Sequence, residues 1–250
     1  MMALDLARAL DPVILAKDCG ITPDPWQRDL LRSDATRLLL LCARQTGKST
    51  TTGLIALNTA LYNPASLTLI LSPSQRQSAE MQRSIMGLHV RLKGAPALNS
   101  ESVLKAEFAN GSRIIALPGT EKTVRGYAGV DLVILDEAAR VDDELIAAVR
   151  PMLATSNGRL ICLSTPAGKR GWFHTCWFGD GTADLWHRVQ VKARECPRIS
   201  KEFLADELRE LGPLRYSEEY ELAWRDDDEA VFPVGVIAAA FTQEVQPLWR

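Results

Sequence analysis

Three short stretches carry residue types that could do chemistry together. The first is Cys42-Ala43-Arg44-Gln45-Thr46-Gly47-Lys48-Ser49, set between an apolar run at 38–42 and a stretch of helical character at 47–62. A Gly-Lys-Ser set in that context lets backbone N–H groups and the start of a helix wrap a chain of phosphates. Gly47 permits close backbone approach, Lys48 reaches the β- and γ-phosphates, and the Ser49 hydroxyl binds Mg²⁺, with Gln45, Thr46 and Thr50 completing the loop. The usual pattern opens on a glycine, and Cys42 stands in its place. The second stretch is Leu132-Val133-Ile134-Leu135-Asp136-Glu137, an apolar run ending in two carboxylates. Asp136 suits the Mg²⁺ shell, and Glu137 suits the orientation and deprotonation of an attacking water. The third is Ser164-Thr165-Pro166, which closes the apolar run at 159–163. Small hydroxyls there can sense a γ-phosphate at the carboxyl edge of a sheet.

Further residues complete a nucleotide site. In Asp24-Pro25-Trp26-Gln27 the Gln27 amide can pair with the donor and acceptor edge of adenine, with Trp26 beside it. Two arginines are placed to stabilise charge on a transferring phosphoryl group: Arg44 inside the loop, and Arg125 in a small-residue loop before the Asp-Glu run. Either could act in cis or from a neighbouring subunit, a contribution of roughly 10³–10⁵ in turnover. Arg76, Arg83, Arg91 and Lys93 form one basic group and Lys169 and Arg170 another. Both suit a nucleic-acid phosphate backbone, and a solvated helix face explains the first group almost as well. His174, Cys176, His187 and Cys196 match no usual zinc spacing.

The elements that must position these residues follow from periodicity. Helical spacing spans 3–17, 26–32, 47–62, 74–92 and 142–153, and a Gly212-Pro213 step separates helices at 200–211 and 213–224. Short apolar runs at 38–42, 67–71, 132–135 and 159–163 read as buried strands, 186–191 alternates like a strand, and Asn110-Gly111 marks a hairpin. Strands alternating with helices predict an α/β fold, a mostly parallel sheet flanked by helices. The strand at 67–71 and the separate Glu137 point to the class of P-loop ATPases with an added central strand and a catalytic glutamate. The core is expected over 1–195, a small helical lid over 196–228, and a linker over 229–250.

Composition sets outer bounds. The 250 residues are 46% hydrophobic and 24% charged, enough apolar material for a sizeable core. A formal net charge of -2 leaves any basic surface local. No run approaches a membrane span, the first residues lack the apolar block of a signal peptide, and five widely spaced cysteines fit a reducing cytoplasm.

Taken in order, Pro25-Trp26-Gln27, Ala43 to Ser49, Leu71-Ser72-Pro73-Ser74, Arg125-Gly126, Asp136-Glu137-Ala138-Ala139 and Ser164-Thr165-Pro166 resemble the large terminase subunit of tailed bacteriophages. A phosphate loop without its first glycine is itself typical of that family. The resemblance implies an ATP- and Mg²⁺-dependent motor that drives double-stranded DNA into a procapsid. It further implies a homo-oligomeric ring, a pentamer on the portal protein, assisted by a small terminase subunit in the host cytoplasm. By position, Lys48 and Ser49 hold phosphate and Mg²⁺, Asp136 is the Walker B acid, Glu137 is the catalytic glutamate, and Ser164, Thr165 and Pro166 match the coupling motif. Arg125 is favoured as the finger in trans and Arg44 as the cis contact. The family usually carries a C-terminal nuclease domain. This chain stops at Arg250, and Asp226-Asp227-Asp228-Glu229 is too compact for that site, so no nuclease activity is expected of it. A superfamily 2 helicase fragment would need a second RecA-like domain and an Asp-Glu-x-His. A scaffold that no longer turns over nucleotide sits poorly with Lys48, Ser49, Asp136 and Glu137 all present.

Overall fold

The computed structural model describes residues 2–179 and 185–225 together with residue 240. Two short helices, α1 (Met2–Leu10) and α2 (Pro12–Asp18), stand where one was expected over 3–17. Asp11 explains the break. It is extended, its carboxylate accepts from Val13 N, and Pro12 lacks the N–H that a continuous helix would use. The chain continues through α3 (Pro25–Arg32), β1 (Arg37–Cys42), α4 (Lys48–Tyr62), β2 (Leu67–Ser72), α5 (Gln75–Arg91), β3 (Leu98–Glu101), β4 (Lys105–Phe108), β5 (Arg113–Pro118) and α6 (Glu121–Val124). It closes with β6 (Leu132–Asp136), α7 (Asp143–Met152), β7 (Arg159–Ser164), α8 (Gly171–Phe178), β8 (His187–Val191) and α9 (Lys201–Glu219).

The strands form one sheet in the order β3-β4-β5-β2-β6-β7-β1-β8. Six of them, β5 to β8 in that order, are mutually parallel, and β3 and β4 add an antiparallel rim through the expected Asn110-Gly111 turn. Strand side chains alternate between two cores. Leu38, Leu40, Ile70, Ile134 and Ile161 pack against α2 to α5, while Leu39, Leu41, Leu69, Val133, Leu135 and Cys162 pack against α7, α8 and α9. Burial on both faces is why these strands read as continuous apolar runs.

The strand between β1 and β6 is β7, and β2 lies beyond β6. The sequence order had pointed to 67–71 as the added strand. Parallel crossovers instead carry the chain from β1 past the sheet centre, and β6 and β7 later fill the gap. This places the turn after β7 between the loop after β1 and the acids after β6. Helix α9 is kinked at Gly212 (φ 73), as its Gly-Pro step predicted, and its second segment ends at Glu219 rather than near Trp224. Leu204, Tyr220 and Leu222 of this region are buried in the second core. The acidic run at 226–229 and, apart from residue 240, the expected linker lie outside the described residues. No helix among the described residues is long and apolar enough to cross a membrane.

Candidate active site

The loop after β1 is built as an anion cradle. Gln45 (φ 61) and Gly47 (φ 89) both take the left-handed conformation, which turns successive N–H groups inward. Thr46 Oγ1 donates to Ala43 O at 2.9 Å, and Thr51 Oγ1 donates to Gly47 O at 2.9 Å. The run Thr50-Thr51-Thr52 is poor helix material, and the bonds explain its place: Thr52 Oγ1 also turns back to Lys48 O at 3.2 Å. Cys42 is the last residue of β1, fully buried, and burial pushes its thiol up to about 12. The position where a first glycine usually stands is here a core strand residue, and the tight turn begins one residue later.

Gln27 is buried, and its amide is engaged at both ends. Oε1 accepts from Asp24 N at 2.8 Å, and Nε2 donates to Thr51 Oγ1 at 2.9 Å. It therefore ties the start of α3 to the first turn of α4; Gly47 O and Arg198 Nη1, each at 3.5 Å, take its remaining donor and acceptor, so reading an adenine edge would displace one of these four contacts. Trp26 is half-buried against the first core, with its indole Nε1 buried and lacking a hydrogen-bond partner. Arg198 was not anticipated. Its Nη2 donates to Thr46 O at 2.7 Å and lies 3.1 Å from Asp24 Oδ2. A Cβ at Gly47 would come within 2.7 Å of Gln27 Nε2 and 3.0 Å of Arg198 Nη2. Gly47 is thus required by contact as well as by φ.

The acids after β6 face this loop. Lys48 Nζ lies 3.6 Å from Glu137 Oε1. Glu137 is itself left-handed (φ 52), a strained conformation for a residue with a side chain, and it opens a 3₁₀ turn over Ala138–Arg140. Arg140 Nη1 lies 2.5 Å from Glu137 Oε2 and donates to Thr165 Oγ1 at 3.0 Å. Ala139 N donates to Ser164 Oγ at 3.2 Å. Ser164, Thr165 and Pro166 are all buried. Asp136 is raised to about 6, first by burial and then by the adjacent Glu137 charge, against the pull of Lys48. Its Oδ1 is buried without a hydrogen-bond partner, and it shares a 250 Å³ cavity with Ser49, Arg76 and Gln77. An orphaned carboxylate oxygen beside a hydroxyl is the donor set a Mg²⁺ ion would use.

The structure therefore gathers Lys48, Ser49, Asp136, Glu137, Ser164 and Thr165 at one sheet edge. It sets the two arginines apart. Arg44 Nε bonds Glu219 Oε2 at 2.7 Å, linking the phosphate loop to the end of α9. The Arg125 side chain is 71% exposed and pairs with Glu121 of the preceding helix α6, lining a groove of about 540 Å³ with Tyr127 and Glu144. Arg140 and Glu219 were missed alongside Arg198. For Arg140 the i,i+3 spacing from Glu137 was the available signal.

Residues 39–238 match the family described as terminase large subunit, T4likevirus-type, N-terminal. The chain belongs to that family. Among solved structures, this terminase domain is similar to the large terminase ATPase domain of Thermus phage P74-26, with a TM-score of 0.71 and 21% identity over 84% of this chain and 97% of that one. It is also similar to the large terminase of bacteriophage HK97, with a TM-score of 0.66 and 19% identity over 81% of this chain and 50% of that one. A third similarity is to the large terminase of a thermophilic bacteriophage in complex with ADP, at 0.64 and 12% over 88% of this chain and 52% of that one. The terminase domain thus spans about half the length of the latter two chains. No curated protein sequence matches it.

Proposed function

We propose that this terminase domain is the ATP-hydrolysing motor that translocates double-stranded DNA into a procapsid. The observation that carries the reading is the convergence of Lys48, Glu137 and an unpartnered Asp136 oxygen on the phosphate loop. ATP lies with its phosphates in the loop at 44–50. Lys48 and the loop N–H groups neutralise and orient them. Ser49 and Asp136 would hold a Mg²⁺ ion, which when bound neutralises charge on the β- and γ-oxygens. Glu137 accepts a proton from the attacking water. An arginine finger completes the site: Arg125, exposed and paired with Glu121, suits a neighbouring subunit, and Arg44 suits a contact in cis. Trp26 and Gln27 flank the base. Loss of the γ-phosphate shifts Ser164, Thr165 and Pro166, and the phosphate loop passes its own shift to α9 through the Arg44–Glu219 pair.

The working assembly is a homo-oligomeric ring, a pentamer docked on the portal protein in the host cytoplasm and loaded by the small terminase subunit. The relatives named as terminases and as an ADP complex support nucleotide use and the packaging setting. Turnover measured against protein concentration, with Mg²⁺ present and Glu137→Gln as the blank, tests this. Turnover that rises more steeply than linearly and vanishes in the variant is expected. Strict proportionality to protein would overturn the trans finger, and turnover no higher than in the variant would overturn the ATPase reading.

A further inference from the structure

The two oxygens of Glu137 are not equivalent. Oε1 faces Lys48 at 3.6 Å, and Oε2 faces Arg140 at 2.5 Å. Lys48 has a competing partner, because a bound γ-phosphate is a stronger attraction for its ammonium than a single carboxylate oxygen across 3.6 Å. Arg140 has a second contact that ties it to the protein instead. The same Nη1 that holds Glu137 also donates to Thr165 Oγ1 at 3.0 Å, and Arg140 N donates to Glu137 O at 2.8 Å across the 3₁₀ turn. Thr165 is only 2% exposed and directly follows β7, so the partly exposed guanidinium is tied to the sheet edge. The neighbouring bond from Ala139 N to Ser164 Oγ ties the same turn to the same strand end.

We propose that Arg140 is a positioning residue for ATP hydrolysis: it anchors Glu137 through Oε2, so that Oε1, once vacated by Lys48, is presented to the attacking water. This rests on the ATPase reading given above. When ATP enters, Lys48 transfers to phosphate, and Oε1 becomes the oxygen that takes the water proton. The carboxylate does not swing free, because Oε2 stays on Arg140. The anchor also carries information in reverse. A shift of the turn at 164–166 moves the Arg140 guanidinium and so the aim of the base. Hydrolysis then depends on the position of the segment it is meant to move.

Steady-state ATP turnover and fluorescent-ATP binding on wild type, Arg140→Ala, Arg140→Lys, Thr165→Val and the double variant Arg140→Ala/Thr165→Val test the proposal. Arg140 is about a third exposed, so its variants should fold, and thermal unfolding checks that. Arg140→Ala is expected to lower kcat about 10- to 100-fold, by the scale on which a general base depends on its placement, with KM and nucleotide affinity within about twofold. Arg140→Lys should recover part of the loss. Thr165→Val should slow turnover less, and the double variant should be as slow as Arg140→Ala alone, because both act through one contact. A healthy wild-type rate with Arg140→Ala within twofold of it overturns the positioning role and leaves the ATPase intact. So does a loss confined to KM, or fully additive effects in the double variant. A wild-type rate no higher than Glu137→Gln fails the ATPase reading itself, and the positioning role with it.

Discussion

On the phosphate-loop side of the site, Thr46, Thr51 and Gln27 are held mainly by neutral hydrogen bonds to backbone and to each other. On the acid-turn side, Glu137 is held by two cations, Lys48 and Arg140. The neutral bonds close within the loop and the first turn of α4, so the shape of the loop does not depend on an ion pair being kept. An ion pair is open to exchange: the Lys48 ammonium that faces Glu137 at 3.6 Å is the cation proposed to meet the phosphates. On the proposed reading, one half of the site is a preformed cradle and the other half is a set of charges that the ligand rearranges.

The largest effect should come from Glu137→Gln. It is expected to cut turnover by about 10²–10⁴ while leaving the loop bonds untouched. Nucleotide affinity should hold or rise, since Lys48 no longer faces a carboxylate, and fluorescent-ATP titration reads this directly. A variant that loses binding as well would show that the two halves are not separable.

Asp136→Asn comes next, and it should move stability and activity in opposite directions. An aspartate raised from its ordinary value of 3.8 to about 6 disfavours the fold when ionised. That cost appears as pH climbs through the window from 3.8 to about 6 and is complete above it. Replacing the charge should therefore stabilise the Mg²⁺-free protein at about pH 7.5 by on the order of 3 kcal/mol, and hardly at all below about pH 4. Mg²⁺-dependent turnover should collapse. Thermal unfolding at the two pH values, with chelator present, checks the sign.

Gly47→Ala probes the cradle. A side chain at φ 89, crowding Gln27 and Arg198, should cost about 1–3 kcal/mol of stability and weaken nucleotide binding together. Denaturant unfolding with and without nucleotide measures both. Arg44→Ala should have the smallest effect on stability, within about 1 kcal/mol, because its pair with Glu219 is solvent-exposed on the arginine side. A drop in turnover beyond tenfold in that variant would then report a role at the phosphates rather than a loosened α9.

The contrast between the halves also marks what the sequence could disclose. β1, β2, β6 and β7 were legible because strands buried on both faces are apolar throughout, and the Asn110-Gly111 turn was legible from its residue types. Helix α8 was not. Its residues Trp172, Phe173, Trp177 and Phe178 join aromatic contacts with Trp186 and Trp224, so it shows no polar face for periodicity to detect. β3, with Asn99, Ser100 and Glu101, is a mostly exposed edge strand with an irregular register, and nothing in its composition separates it from a loop. The phosphate-loop and acid residues could be singled out in sequence by their types and spacing, and the structure brings them together. Arg198 and Glu219 could not, because their meeting with the loop depends on how the chain returns after β8, far from the residues they touch.

That return has a consequence for how the protein is made. β1, the strand Arg37–Cys42 that feeds the phosphate loop, pairs on one side with β7 and on the other with β8. Both partners leave the ribosome more than a hundred residues after it. At about 5–20 residues per second, a run of four leucines and a cysteine waits several seconds to tens of seconds for its neighbours. During that interval the chain carries an unpaired apolar edge, the kind of segment that joins other nascent chains. Yield should therefore respond to chaperone supply and to slower, cooler synthesis more strongly than the stability of the finished domain would suggest.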